Sequence, residues 1–273
     1  MNRLLWRWLG AHLAVALAAF AADYSMVGNI RYDKFPETVL DVLQPPHPAL
    51  TNRPAVLMIH GGGWTSGSKN DTVEACKPFL ERDYVVVNID YRLADAAPAP
   101  AAVLDTMKAA HWTVEHAAEY KIDPKRLLAA GFSAGGHLAL MAGMATPESG
   151  FGPTTRFAGI IDFYGIADVA AALEQKSDFA VQWIAAAPEP MQLAKQLSPI
   201  NYVRKDVPPV LIVHGDQDHV VPFAQSVQLN AALKKAGAKS ELITVSGAQH
   251  GFTPAQQAEI WPPIFKWLEQ LKI

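Results

Sequence analysis

The chain has 273 residues, of which 50% are hydrophobic and 18% are charged, and its formal net charge is −3. This length suits one large α/β domain and is too short for two full-sized domains with a linker. The charge balance excludes the basic surface that a nucleic-acid partner requires. The histidines lack metal-ligand spacing, since His111 and His116 stand five apart rather than four, so we expect no metal.

The N-terminal segment is basic at first and then apolar. It begins with MNRLLWRW, continues with an apolar run and reaches small residues at 19–21. This layout predicts a secretory signal peptide over residues 1–21 and a mature domain over residues 22–273, because the apolar run is too short to span a bilayer comfortably. An uncleaved anchor is the alternative. We expect a secreted or periplasmic protein with no stable membrane anchor after cleavage and, with Cys76 as its only cysteine, no internal disulfide.

Seven short runs of β-branched and aliphatic residues, bounded by turn residues, are typical of strands. They cover residues 38–44, 55–60, 84–90, 127–132, 159–164, 209–215 and 241–246. Most of these runs are apolar throughout, which favours a largely parallel sheet with helices on both faces.

The segments between the strands show helical periodicity. In residues 103–118, apolar side chains recur every three or four positions and form one stripe. Further helices are predicted over 223–236 and, after Pro262 and Pro263, up to Leu271. Alternating strands and helices predict a doubly wound α/β fold.

The longest interval between strands runs from about residue 165 to residue 208, which is too long for a simple crossover and predicts helices of its own. Phe179 and Trp183 in this interval stand four apart and can line one face of a helix. Whether they shape a site or only pack in the core stays open.

The stretch GFSAGGH at 131–137 predicts a nucleophile. It follows one apolar run and precedes another, so Ser133 stands at a sharp turn between a strand and a helix, where its hydroxyl can project into a pocket. Gly131 and Gly135 leave space where strand and helix crowd each other. The position of this G-x-S-x-G pattern makes it more specific than the pattern alone.

A serine nucleophile needs a base and an acid that orients the base. In chains with such a turn, the order is serine, then Asp or Glu, then histidine. Asp216 and Asp218 follow one predicted strand, and His250 follows the next, so all three lie at the sheet edge where ligands bind. Either aspartate fits the acid, and His250 is predicted to be the base.

The negative charge that develops on a substrate carbonyl oxygen needs hydrogen-bond donors. The run IHGGGW at 59–64 follows a predicted strand, and its glycines expose bare amides. We predict an oxyanion hole from the backbone N–H groups of Gly62, Gly63 and Ala134.

Several longer motifs together resemble one enzyme family. They read HGGGW at 60–64, DYRLA at 90–94, DPKRLLAAGFSAGGHLA at 123–139, DFYG at 162–165, SPINYV at 198–203, PPVLIVHGDQDHVVP at 208–222 and QHGF at 249–252. With them the chain resembles the bacterial α/β-hydrolase esterases of the hormone-sensitive-lipase-like and feruloyl or acetyl-xylan esterase-like groups. The resemblance implies an α/β-hydrolase fold with an eight-stranded, mostly parallel sheet, a small helical insertion around 165–200, and Asp218 rather than Asp216 as the acid.

Two departures from these motifs indicate which branch of the family the chain resembles more. Relatives of hormone-sensitive lipase usually read YRLAPE where this chain reads YRLADA at 91–96, and they carry a longer N-terminal cap. The smaller polysaccharide-ester branch resembles the chain in Trp64, the tryptophan after the glycines. His60 and His137 belong to the motifs and are expected to hold loops.

These residues predict a secreted serine carboxylesterase that hydrolyses short-chain acyl or polysaccharide-linked esters, acetyl or feruloyl, through an acyl-enzyme without a cofactor. The same triad could serve an amide hydrolase, such as a formamidase or small peptidase. A non-catalytic binding protein on the same scaffold is the other alternative, although such a protein has no need of a complete triad.

Overall fold

Eight strands form one sheet in the computed structural model, which describes residues 24–47, 50–184 and 186–273. The strands are β1 (Ser25–Arg31), β2 (Val39–Gln44), β3 (Arg53–Ile59), β4 (Val85–Ile89), β5 (Ile122–Phe132), β6 (Gly159–Phe163), β7 (Val210–Gly215) and β8 (Ser240–Val245). Their order across the sheet is β1-β2-β4-β3-β5-β6-β7-β8. The two pairs that involve β2 are antiparallel, and all other pairs are parallel. The predicted α/β-hydrolase fold with its mostly parallel sheet is therefore confirmed.

Helices cover both faces of this sheet. They are α1 (Val73–Leu80), α2 (Ala101–Glu115), α3 (Ala134–Met144), α4 (Val169–Glu174), α5 (Asp178–Ile184), α6 (Pro190–Gln196), α7 (Ala224–Lys235) and α8 (Pro254–Gln270). Side chains alternate between faces along each strand, so Leu57 of β3 belongs to the core cluster that includes residues of α2, α3 and α7, whereas Met58 belongs to the cluster that includes residues of α1 and α8. Burial on both faces explains why the inner strands are apolar throughout.

The predicted helical insertion is present, since α4, α5 and α6 all lie between β6 and β7. Strand β1 was not among the seven runs predicted from the sequence pattern, although the resemblance implied an eighth strand. It lies at the sheet edge and most of its residues are exposed, so it lacks the apolar signal of the inner strands. The predicted signal peptide, residues 1–21, lies outside the described residues.

The last helix was predicted to begin after Pro262 and Pro263, and this is wrong. Helix α8 already begins at Pro254, behind a capping box in which Thr253 and Gln256 satisfy each other's backbone N–H groups. Its buried residues, Ile260, Ile264, Phe265, Trp267 and Leu268, lie on both sides of the proline pair and pack into one core cluster. This packing holds the helix together although each proline lacks the N–H of a helical hydrogen bond.

Candidate active site

Ser133 occupies the turn between β5 and α3, and its backbone has φ 55° and ψ −118°. A positive φ is strained for a residue with a side chain, and such strain concentrates at functional sites. The Ser133 N–H donates to the carbonyl of Phe163 at 2.8 Å, and the N–H of His137 donates to the Ser133 carbonyl at 3.0 Å. These bonds hold the serine at the carboxyl end of β5.

The two flanking glycines are required by close contacts. A Cβ on Gly131 would lie 2.3 Å from the carbonyl oxygen of Gly135, and a Cβ on Gly135 would lie 2.2 Å from that of Ile59. The first glycine therefore lets strand and helix meet, as predicted. The second, Gly135, avoids a clash with the end of β3. The sequence pattern predicts β3 but not that it lies beside this turn.

Ser133, His250 and Asp218 form a continuous chain of hydrogen bonds. The Ser133 hydroxyl donates to Nε2 of His250, with 2.9 Å between the heavy atoms, and Nδ1 of His250 donates to Oδ2 of Asp218 at 2.7 Å. The three predicted residues come together although Ser133 and His250 stand 117 positions apart in the chain. Their catalytic roles stay predictions, and the geometry is that of a nucleophile, a base and an orienting acid.

The Asp218 carboxylate is buried and fully hydrogen-bonded. Its Oδ1 accepts from the backbone N–H groups of Val220 at 2.8 Å and Val221 at 2.9 Å. Burial alone would raise the pKa of Asp218, but hydrogen bonds from His214, His250 and Val221 outweigh it and hold the pKa well below its usual range. The group is therefore an anion at neutral pH.

The other candidate acid, Asp216, is directed elsewhere. Its Oδ1 accepts from the N–H of Gly247 at 2.7 Å and bridges the loops after β7 and β8. The structure thus brings Asp218, and not Asp216, to His250.

Two side chains at this site were not predicted as functional residues. His214, the penultimate residue of β7, is fully buried and its Nε2 lies 3.1 Å from Oδ2 of Asp218. Tyr164 has a φ of 45° and places its ring edge-on to His250, with 4.8 Å between ring centroids. The signals in the sequence were a polar residue near the end of an apolar strand and the DFYG motif, neither of which specifies a contact.

The backbone N–H groups of Gly62, Gly63 and Ala134 have no acceptor within the described ranges. The loop is held by a tight turn in which the Gly62 carbonyl accepts from the N–H groups of Thr65 and Ser66 at 3.0 Å each. Gly62 and Gly63 both have positive φ, 105° and 59°, which explains the choice of glycine. Free amides beside the nucleophile are suited to binding an oxyanion.

His137 connects this glycine loop with the helical insertion. Its Nδ1 accepts from the indole N–H of Trp64 at 3.2 Å, and its Nε2 donates to the carbonyl of Leu197, after α6, at 2.7 Å. Burial lowers the pKa of His137 to about 4, so the ring is neutral at physiological pH. The role this geometry offers is to hold loops, since neither ring nitrogen contacts the triad.

His60 also contacts backbone rather than the triad. Its Nδ1 donates to the carbonyl of Gly61 at 2.7 Å, and its ring stacks on Tyr91 with 4.3 Å between centroids. Burial lowers the pKa of His60, which keeps the ring neutral.

A cleft of about 800 Å³ opens beside Ser133 and His250. Phe179 of α5 lines it, whereas Trp183 of the same helix is buried and stacks on Trp64 at 4.1 Å between centroids. Of the two alternatives for this aromatic pair, lining a site applies to Phe179 and packing in the core applies to Trp183. A Cβ on Gly63 would lie 2.7 Å from the Cβ of Phe179, so the insertion packs directly against the glycine loop.

Within the described part of the chain, no cluster of three or more His, Cys, Asp and Glu side chains could hold a metal ion. None of the helices described there has the length and apolar character needed to cross a membrane. The expectation of no metal and no cofactor stays a prediction.

A serine at a strained turn after an inner strand of a mostly parallel sheet, with histidine and aspartate supplied by later loops, defines an α/β-hydrolase. Comparison with known sequences gives the particular family. The chain belongs to the BD-FAE family, whose profile matches residues 40–233.

Known relatives and solved structures agree with this assignment. The chain is 30% identical over 229 residues to Esterase LipQ of Mycobacterium tuberculosis, a match that covers 79% of the chain and 54% of the relative. It thus spans about half the length of the curated relatives it matches. A truncated carbohydrate esterase from gut microbiota superposes with a TM-score of 0.77 at 27% identity, covering 92% of this chain and 98% of the other. A butyrate-bound esterase of Thermogutta terrifontis superposes with a TM-score of 0.76 at 25% identity, covering 92% and 95%.

Proposed function

We propose that the protein is a serine carboxylesterase that works through an acyl-enzyme. The observation that carries this proposal is the hydrogen-bonded chain from the Ser133 hydroxyl through His250 to the Asp218 carboxylate, at 2.9 and 2.7 Å. The cleft beside it leaves room for a substrate. Relatives and structural neighbours that are named esterases support the choice of an ester bond.

In the first half of the reaction, Nε2 of His250 takes the proton of the Ser133 hydroxyl as its oxygen attacks the ester carbonyl. The buried Asp218 anion holds the ring with Nδ1–H directed toward it and stabilises the imidazolium that forms. The backbone N–H groups of Gly62, Gly63 and Ala134 donate to the oxyanion. The imidazolium then protonates the leaving alcohol, which departs and leaves an acyl group on Ser133.

In the second half, water takes the place of the alcohol. His250 removes a proton from the water as its oxygen attacks the acyl carbon, and then returns a proton to the Ser133 oxygen as the acid product leaves. The strained backbone of Ser133 keeps the hydroxyl in the cleft for both steps.

Replacing the nucleophile tests this proposal. In Ser133→Ala, kcat/KM for p-nitrophenyl acetate is expected to fall by about 10⁴- to 10⁶-fold, because no nucleophile remains. Ser149→Ala, at a half-buried turn position that does not line the cleft, serves as the matched control and should keep wild-type activity. A fluorophosphonate probe should label the wild type and the control but not Ser133→Ala. Unchanged hydrolysis by Ser133→Ala, with circular dichroism confirming its fold, would contradict the mechanism.

For the substrate, we propose short-chain acyl or polysaccharide-linked esters, acetyl or feruloyl. Apolar side chains line part of the cleft, among them Ile166, Phe179 and Val220, which suits a small acyl group. The structural neighbours support this substrate class, since one is named a carbohydrate esterase and another was solved with butyrate. Rates on p-nitrophenyl esters of increasing chain length, beside acetylated xylan, feruloyl esters and formyl amides, would rank these substrates. Faster turnover of the amides would favour an amide hydrolase instead.

We also propose that the protein is exported, on the basis of the sequence pattern of residues 1–21. Export would bring the enzyme to polymer-bound esters outside the cytoplasm. Fusion of residues 1–30 to a reporter that is active only after export tests this, and a reporter that stays in the cytoplasm would contradict it.

A further inference from the structure

His214 is a second histidine at the catalytic acid, and the mechanism above gives it no role. It is fully buried on β7 and stands four residues before Asp218. Its Nε2 lies 3.1 Å from Oδ2 of Asp218 and 3.0 Å from the carbonyl oxygen of Val221. Its Nδ1 lies 2.6 Å from the hydroxyl of Ser226 on α7.

The partners of His214 determine where its proton lies. A carbonyl oxygen and a carboxylate oxygen can only accept, so Nε2 must carry the hydrogen and donate it to Val221 and Asp218. In the tautomer with its hydrogen on Nε2, Nδ1 of His214 accepts from the Ser226 hydroxyl. This bond polarises the imidazole and makes Nε2–H a stronger donor.

Both histidines donate to the same oxygen of Asp218. His250 reaches Oδ2 at 2.7 Å and His214 reaches it at 3.1 Å, while Oδ1 accepts two backbone N–H groups. The carboxylate therefore has donors on both oxygens and is held from several directions. Because Oδ2 already accepts a hydrogen bond from His214, it interacts less strongly with the imidazolium of His250.

We propose that His214 is a positioning residue that orients the Asp218 carboxylate and weakens its hold on the protonated form of His250. Through this competition, His214 keeps His250 in the neutral form that can accept the serine proton at a lower pH than Asp218 alone would allow. The inference rests on the proposed function, since it assumes that His250 is the base.

Among the described residues, ionisable groups of β6 and the turn after it lie nearest this cluster, and Asp71 and Glu74 line the same cleft as His250. Asp162 of β6 is buried near His214, and Tyr164 places its ring 4.8 Å from that of His250 and 6.3 Å from that of His214. Burial, and after it the Asp218 charge, raises the pKa of the Tyr164 hydroxyl, so Tyr164 stays neutral across the working range. Because His214 lowers the pKa of Asp162, the change His214→Leu also alters this carboxyl, and the limb shift assigned to Asp218 should therefore persist in an Asp162→Asn background.

Kinetics of His214→Leu against pH provide the main test. Without the second donor, Asp218 interacts more strongly with protonated His250, so the acidic limb of kcat/KM should move to higher pH by about 0.5 to 1 unit. We expect kcat to fall about 10-fold or more, as when a partner that orients a reacting group is lost, with KM little changed. His214→Gln keeps an N–H donor and should restore most of the limb position.

Val213→Ala is the matched control. Its side chain lies in the core on the opposite face of the sheet, so the variant loses buried volume without a contact to Asp218. A limb that stays in place in His214→Leu, or that moves equally in Val213→Ala, would overturn the proposal and leave His214 as a packing residue. Should His214→Leu fail to fold, Ser226→Ala keeps the ring, and its acidic limb should move in the same direction by a smaller amount; no movement would overturn the proposal.

A proton NMR measurement separates this inference from the proposed function. The N–H groups of His214 and His250 that donate to Asp218 should give two downfield resonances in the wild type. In His214→Leu one should vanish and the other should move further downfield, whether or not the protein hydrolyses esters. If the wild type hydrolyses no ester, the proposed function fails and the resonances still decide the role of His214; an unmoved His250 resonance would overturn it.

Discussion

The carboxylates of Asp162 on β6 and Asp218 after β7 are both buried at the same edge of the sheet, yet their chemistry differs. Asp218 has hydrogen-bond donors on both oxygens. In Asp162, Oδ1 accepts from the Gly165 N–H at 2.8 Å, while Oδ2 is buried and has no partner among the described residues.

The pKa values move in opposite directions as a result. Burial raises the pKa of Asp162 to about 6, because the favourable electrostatic interaction with His214 and the hydrogen bond from the Gly165 N–H offset it only in part. At Asp218 the hydrogen bonds outweigh burial, and the pKa is lowered. The comparison teaches that the number of donors, and not burial alone, decides whether a carboxylate is charged. Of these two carboxylates, Asp218 is the one that lies beside His250 as an anion.

Among these carboxylates, the largest expected effect comes from removing the charge of Asp218. In Asp218→Asn, kcat should fall by about 10⁴-fold, because an amide neither stabilises the imidazolium nor enforces the tautomer with Nδ1–H. Steady-state kinetics on p-nitrophenyl acetate measures this. Activity close to the wild type would mean that another group serves as the acid.

A smaller effect, on stability rather than catalysis, is expected at Asp162. Its pKa in the folded protein, about 6, exceeds the ordinary value of 3.8. The carboxyl therefore favours folding while it is protonated, and that contribution is lost as the pH rises through 6. Between pH 4 and pH 8, the free energy of unfolding of Asp162→Asn should rise relative to the wild type by roughly 2 to 3 kcal/mol, or about 5 to 10 °C in Tm.

Thermal unfolding of both proteins across this pH range checks the prediction at Asp162. A constant difference in Tm would show that the carboxyl does not titrate there. Because no oxygen of Asp162 bonds to a triad side chain within the described ranges, kcat/KM should fall far less than in Asp218→Asn.

The smallest effect is expected at Asp216, the other carboxylate of the loop after β7. It accepts one backbone N–H and does not reach His250. Asp216→Asn should therefore keep kcat/KM within about twofold of the wild type. A loss as large as that of Asp218→Asn would remove the distinction between the two aspartates.

Much of the site could be predicted from spacing. Ser133 stands at the turn that its flanking glycines indicate, and His250 follows the last strand as the chain order requires. Spacing could not choose between Asp216 and Asp218, because both follow β7. The structure separates them through the way the loop folds back, with Val220 and Val221 donating to one carboxylate.

Other features could not be predicted from local pattern. His214 is the penultimate residue of a strand that has the pattern of an ordinary apolar run. Its importance depends on Asp218, Val221 and Ser226, which surround it only after folding. Edge strand β1 lacks an apolar pattern because it is exposed, and the prolines of α8 mask a helix that tertiary packing holds together.

The sequence by itself determined the α/β class, the strained serine turn and the residue types of the triad, because these follow from periodicity, glycine geometry and chain order over short distances. Only the tertiary structure decided which aspartate meets His250, which aromatic residue of α5 reaches the cleft, and how two histidines share one carboxylate oxygen. Those outcomes depend on contacts between segments far apart in the chain. There, differences of a few ångströms in the distance between donor and acceptor determine whether a hydrogen bond forms.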